Sequence, residues 1–575
     1  MLGRLIRGAA AGALCIALYA GASQASPHGF VARPHRHGHL DGVRSADTAA
    51  PVITPSPAAT ESPAPSGSPT PPGPAPTILP SMPTVTPPPP PPQSVSLAVS
   101  AIVLQYGRSA TVHVDSPPSG ILTLSGFDPG IISATFNAVD RTIDVSGLHT
   151  GTTTITATDQ DGLSSSLTVT VEVLAGRIGD TASATITGDP ASPDFVAEAA
   201  ANAAAAVVYP EAGARLIIDP NSIADAHTLA PDDLATVHVP VSVEGSGMLR
   251  AAKNVAVAVS NVAQPRLPPQ YLLVSDFPET LVENGTLFYA DVNADAPARL
   301  LYYHYAAKPE TRRVLVKVQN NGLDSSLIQL IAGIAGPDSN VLAAGHLATS
   351  RYLIREAANE GQLFELPPHA TINVVDQALP PDTLVTGVMQ LRVVSGDGVR
   401  VALVAQDAQD PPVQPISDTL LQSAVRHARG VYSVPDFLYD ETYRVGDDAT
   451  VLTIGKLPLP NLVQGEVLGG DYGVKQSASI TLLNPSSADA RVGMWFEPRG
   501  GRATGTFFID GGLVQIHAAP ADAAQLVESF LVPAGGYRQV SVVTMPEGGS
   551  SYPVNLVFSS NAPANGSWTQ SPLVY

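Results

Sequence analysis

A chain of 575 residues has room for roughly three or four domains, and its 50 acidic against 30 basic residues give a formal net charge of −20. Only five of the bases and three of the acids fall in the first 95 residues, so the body carries the whole negative excess and repels phosphate backbones, which excludes nucleic acid as an expected partner. Charged residues make up 14% and aromatics 5%, while 54 prolines and 49 glycines are spread along the chain; that balance fits all-β modules with many turns and argues against one large helical core.

Residues 1–25 open with Arg4 and Arg7, continue through an apolar run from Gly8 to Tyr19, and close on "ASQAS", the three parts of a secretory signal peptide cut after Ala25. The chain's one cysteine, Cys15, lies in this leader; a mature chain would use neither disulfides nor thiol chemistry. Lipidation of Cys15 calls for a small residue before it, where Leu14 stands. An uncleaved leader acting as an anchor is the alternative to cleavage. No later run approaches the ~18 apolar residues that span a bilayer. The expected location is extracytoplasmic, secreted or in the cell envelope, with no membrane span after cleavage.

Residues 26–94 form a linker expected to be disordered. "PHGFVARPHRHGH" places His28, His35, His37 and His39 in one short stretch, and imidazole is a good ligand for copper and zinc. These four are the candidate metal ligands. A tail without fixed ligands or supporting hydrogen bonds explains them equally well as a solvated segment of weak affinity. From Pro51 to Pro92 the chain is nearly all Pro, Ser, Thr, Ala and Gly, ending in "TPPPPPPQ", an extended spacer rising ~3.1 Å per residue in polyproline II.

The pattern changes at Val95. Over 95–175, β-branched and polar residues alternate at period two, with turn residues every eight to twelve positions, which suggests an immunoglobulin-like β-sandwich. The stretch from Val145 to Val173, with Gly147, Gly151 and the turn Asp159-Gln160-Asp161-Gly162 before a last alternating strand, resembles the bacterial immunoglobulin-like domains of surface proteins. Asp159 and Asp161 have the step of a calcium loop but lack its third acid and distant Glu, so a plain turn is the expectation.

Residues 176–265 read as a small α+β module. A strand "TASATIT" precedes a helix capped by Ser192, opened by Pro193 and Asp194 and stopped by Pro210; its alanines let it lie close on strands "ARLIID", "ATVHVPVSVEG" and "VAVAVSNV". Residues 269–410 return to strands, with a helical insert from Val341 to Glu356. In "LLYYHY", alternation puts Tyr302 and His304 on one face and Tyr303 and Tyr305 on the other, a strand packed on both faces. Residues 430–560 form a last sandwich, with a hairpin at Asp510-Gly511; of Trp495 and Phe496, one faces the core and the other outward. "GIAGPDS" and "PRGGRATG" read as hairpin turns. "LLYYHY" at Leu300, "AGPDSN" at Ala335 and "TMPEGGSSYPV" at Thr544 resemble segments of an uncharacterised group of secreted bacterial multidomain proteins, a resemblance that implies no activity.

The sequence contains no H-E-x-x-H, G-x-S-x-G, G-x-x-x-x-G-K-[ST], or G-x-G-x-x-G between strand and helix. The expectation is a mainly β protein of tandem immunoglobulin-like or β-sandwich domains with one small α+β module. It would act as a structural or adhesin-like binding component without catalysis or cofactor, its partner an unknown extracellular or cell-wall ligand. Two rivals stand beside this. One is extracytoplasmic copper or zinc handling by the His tail. The other is a carbohydrate-active enzyme with acids on sandwich loops, since such enzymes need only two well-spaced carboxylates.

Overall fold

The computed structural model describes residues 95–115, 121–277, 281, 283–294, 296–306, 309–411, 415–421, 428–463, 465–564 and 566–568. The protein is mainly β, with two α-helices among the described residues, α1 (Pro193–Ala205) and α2 (Val341–Ala358). His28, His35, His37 and His39, with the leader and the proline-rich spacer, lie outside the described residues.

The first sandwich follows from its alternation. Strands Ala101–Gln105, Ser164–Leu174, Gly151–Thr158 and Thr123–Ser125 form one sheet; Ser109–His113, Thr142–Gly147 and Ile132–Asn137 form the other. Every second residue turns inward, so Ile132, Ile143, Val145, Ile155, Leu167 and Val169 fill the space between them. The first strand runs parallel to the last. Asp159 closes its turn as expected, Oδ1 accepting from the N–H groups of Asp161 (3.0 Å) and Leu163 (2.9 Å).

The next two stretches share one sheet. Ten strands run in the order Arg215–Ile217, Leu234–Glu244, Ala251–Asn261, Thr181–Thr187, Gly361–Leu366, Ser326–Asp338, Thr383–Ser395, Ala298–Ala306, Tyr271–Phe277, Arg429–Tyr432. The boundary between 176–265 and 269–410 therefore does not interrupt the sheet. Its joint is two residue pairs long, Thr187 with Gly361 and Ile186 with Gln362, and side chains reinforce it. Thr187 Oγ1 donates to the Asn359 carbonyl (2.7 Å) and accepts from Gln329 Nε2 (2.9 Å) and Gly361 N (3.1 Å).

Helix α1 packs on the first part of this sheet. Ser192 Oγ caps it by accepting from Phe195 N, and five alanines from Ala197 to Ala204 are buried against Val237, Val239, Val257 and Val259, so the absence of long side chains brings helix and sheet close. It ends at Ala205, short of Pro210, because Val208–Pro210 is extended and pairs with Gly176–Ile178. Further along, strands Gly285–Val292, Val399–Asp407, Arg312–Asn320 and Thr371–Leu379 form a second layer. The core between the layers holds Leu273, Leu300, Tyr302, Val316, Met389 and Leu403.

The last sandwich packs strands Asp436–Arg444, Lys475–Leu483, Tyr537–Thr544, Ala503–Ile509 and Gly512–Ala519 against Thr450–Ile454, Val554–Ser559, Ala490–Pro498 and Gln525–Val532. Phe496 lies in its core and Trp495 is half-buried on the other side. Asp510 and Gly511, both at positive φ (50° and 82°), make the expected hairpin. Two expected hairpins are absent. "GIAGPDS" continues the strand Ser326–Asp338 straight into α2, and "PRGGRATG" carries the chain from one sheet of the last sandwich to the other.

Candidate functional site

The three segments "LLYYHY", "AGPDSN" and "TMPEGGSSYPV" meet around α2, at the junction of the central sheet and the last sandwich. "AGPDSN" starts the helix: Asn340 Oδ1 accepts from Ala343 N (3.2 Å), and Asp338 Oδ1 accepts from Asn340 N. Asn359 ends it in the left-handed conformation, φ 55°. Ile331, Leu301 and Val388 of the sheet, Tyr352 and Leu353 of α2, and Leu459, Leu468, Val474 and Met545 from the C-terminal side form one buried cluster.

Two glycines make this packing possible. A Cβ on Gly333 would lie 2.1 Å from the Ala348 carbonyl oxygen, so the strand touches the helix backbone to backbone. A Cβ on Gly345 would lie 1.5 Å from the Gly548 oxygen, so the loop 544–553 rests directly on α2. Gly548 also faces the ring of Tyr303 from "LLYYHY"; burial first, then Asp276 and Tyr472, push the Tyr303 phenol up to about 12.

That loop carries Glu547, a fully buried carboxylate. Its Oε2 accepts from His346 Nδ1 of α2 (2.9 Å) and from Thr504 Oγ1, and its Oε1 accepts from Thr506 Oγ1 (2.7 Å). Ser550 Oγ hydrogen-bonds Thr504 Oγ1 (2.7 Å) and accepts from Thr504 N (3.0 Å). Burial, reinforced by the Glu547 charge and Tyr472, holds the nearby Tyr552 phenol well above its ordinary range. The cluster has the residue types of acid–base chemistry, yet its carboxylate is shut from solvent, so what the geometry does is tie α2, the loop and the strand Ala503–Ile509 together.

A second polar node joins the same modules. Arg299, fully buried in the central sheet, donates from Nη1 to the carbonyls of Pro435 (2.5 Å) and Gly473 (3.2 Å) and to Asp436 Oδ1 (2.8 Å), and from Nε to Tyr352 Oη (3.0 Å). Burial opposes its charge, but Tyr352 and Asp436 outweigh that and hold the guanidinium above its ordinary range. Lys475 Nζ adds an ion pair to Glu356 of α2 (2.5 Å). Behind it Asp471, at φ 53° and 3% exposed, accepts from Gly455 N through Oδ2 (3.1 Å). Burial pushes its carboxyl up to about 6, a shift the Gly455 hydrogen bond only moderates.

Open polar surface lies elsewhere. A groove of about 650 Å³ runs between the start of α1 and the C-terminal half of α2, lined among others by Asp194, Glu198, Arg351, Arg355 and Glu360. Arg355 pairs with Glu198 and sits 5.3 Å over the Phe195 ring, and Glu360 Oε1 accepts from Ser192 N (2.6 Å). Arg351 is exposed there, with Nη1 donating to the Ile334 carbonyl of the central sheet (2.8 Å).

The sequence candidates His28, His35, His37 and His39 all lie outside the described residues. His304 is buried, its Nε2 3.5 Å from Ser275 Oγ and its ring stacked on Tyr302; Tyr303 and Tyr305 take the opposite face, beside α2. Among the described residues no three His, Cys, Asp or Glu side chains group to hold a metal ion, and no helix is long and apolar enough to cross a membrane. Sequence reasoning missed Glu547, Gly345 and Arg299. Arg299 alone left a signal, one charge at the head of the apolar run "RLLYY".

No protein-family model matches the chain, and no curated protein does. Among solved structures, the human desmocollin-1 ectodomain is similar at 15% identity over 31% of this chain and 38% of that chain, with a TM-score of 0.12. A Bacteroides ovatus protein of a mixed-linkage glucan utilization locus, solved with a mixed-linkage heptasaccharide, is 11% identical over 54% of this chain and 73% of that one, TM-score 0.13. Lac15 from a marine microbial metagenome is 13% identical over 78% and 86%, TM-score 0.09. Scores this low carry no inference about what this chain does.

Proposed function

We propose that the protein is a secreted or cell-envelope binding component, adhesin-like and without catalysis, whose β modules form a stiff body that presents surface loops and grooves to an extracellular or cell-wall ligand. One observation carries this reading: the Glu547 carboxylate and the Arg299 guanidinium are buried and their hydrogen bonds hold modules together. The α1–α2 groove, by contrast, is open polar surface, where the exposed Asp194 carboxylate and Arg351 guanidinium match a ligand offering both donors and acceptors, such as a polysaccharide. The export leader and the proline-rich stretch read from the sequence support the extracytoplasmic placement.

The test is co-sedimentation of the full chain with insoluble cell-wall polysaccharide preparations, with the supernatant assayed for released sugar. The reading expects retention that Arg351→Ala weakens, and no release. A chain that keeps its fold yet stays in the supernatant with every preparation contradicts binding; release of soluble sugar contradicts the absence of catalysis.

A further inference from the structure

The geometry points to a two-histidine site for a borderline divalent cation, Zn²⁺ or Cu²⁺, formed by His346 of α2 and His517 of the strand Gly512–Ala519, separate from the tail histidines. His346 Nδ1 lies 2.9 Å from the Glu547 carboxylate, which can only accept, so the ring donates there. In the neutral ring the lone pair is then on Nε2. That nitrogen is buried and has no hydrogen-bond partner among the described residues. A carboxylate behind an imidazole, fixing its tautomer and ring orientation, is the support a metal-ligating histidine ordinarily has.

His517 supplies the second ring. It is exposed on the edge strand of its sheet, which leaves an entry path for the ion, and the two ring centroids are 4.8 Å apart at 78°. Two imidazoles on one ion, each with a bond of about 2.0–2.1 Å and a ring centre roughly 1.1 Å further on, have centroids about 4.4–5.2 Å apart for angles of about 90–110°. The observed separation falls in that range. Two protein ligands leave the remaining coordination positions open to water or to a donor from a bound partner.

The test uses the full chain with His28, His35, His37 and His39 all replaced by Gln, so that tail imidazoles take no part. Zn²⁺ alone is titrated, followed by calorimetry and by the shift in melting temperature. The expected result is one Zn²⁺ per chain and a raised melting temperature. His517→Gln, at an exposed position, should leave the metal-free melting temperature unchanged and weaken binding by at least about tenfold. Glu547→Gln, where it folds, should weaken it by about 10–100-fold. Undiminished binding in His517→Gln overturns the site, as does a tail-substituted chain that takes up no Zn²⁺.

Discussion

Replacing Gly345 with alanine sets two effects of opposite sign against each other. In a helix interior, alanine is favoured over glycine by about 1 kcal/mol, so on an unencumbered α2 the change stabilises. Here the new methyl carbon would stand 1.5 Å from the Gly548 oxygen, less than half a normal carbon–oxygen contact. The loop 544–553 must then retreat, at an overpacking cost of about 1–3 kcal/mol. Retreat also draws Glu547 from His346 and Thr506, and each partner lost to a buried carboxylate costs about 1–3 kcal/mol. The net expectation is destabilisation of roughly 2–8 kcal/mol. Both tryptophans, Trp495 and Trp568, lie in the C-terminal part of the chain, so urea unfolding followed by their fluorescence reads the affected module directly. A midpoint unchanged or raised by Gly345→Ala would refute the close contact of α2 with this loop.

Arg299→Met keeps the stem but strips Asp436, the Pro435 and Gly473 carbonyls and Tyr352 of their shared donor. Breaking a buried pair this way costs about 3–5 kcal/mol, and calorimetry should show the last sandwich melting ahead of the central sheet. Thr187→Val preserves shape but removes the acceptor of Gly361 N and one of the two acceptors of Gln329 Nε2, which keeps Asn359 Oδ1 (3.1 Å); chemical denaturation should reveal a loss of about 1–3 kcal/mol. Asp471 provides a pH test. Its folded pKa, about 6 against an ordinary 3.8, means the native state keeps a proton that the unfolded chain releases, so its contribution is fully present below about pH 4 and is lost as pH rises through about 6. The swing is at most about 3 kcal/mol. Asp471→Asn, which tolerates the same positive φ, should therefore be more stable than the parent at pH 7 and indistinguishable from it near pH 4, as read from paired urea midpoints.

Period-two alternation made most strands legible, because each faces a core on one side and something different on the other. Capping chemistry located the start of the first helix, at Ser192, since that signal is local, whereas the second was read from Val341 without its cap, which the structure places at Asn340. Hairpins were legible where two positive-φ residues sit together, as at Asp510 and Gly511. "GIAGPDS" and "PRGGRATG" misled because glycine there serves the crossing of elements rather than reversal, and local composition does not distinguish the two. The joint at Thr187 and Gly361 was hidden for a different reason: strand pairing across more than 170 residues leaves no trace in either segment. The Glu547 cluster likewise gathers residues from three distant parts of the chain, and one acid between a proline and two glycines looks like any turn.

Native-state hydrogen exchange on the full chain tests most directly whether 176–564 is one stiff body. Amides from Ala344 to Leu353 in α2, at Glu547 to Ser550, and at the Thr187–Gly361 joint should open with the same free energy as the strands of the two adjoining cores. Loop-like exchange at α2 or at 547–550, with those cores still protected, would show modules that move independently and would contradict a body held together through α2.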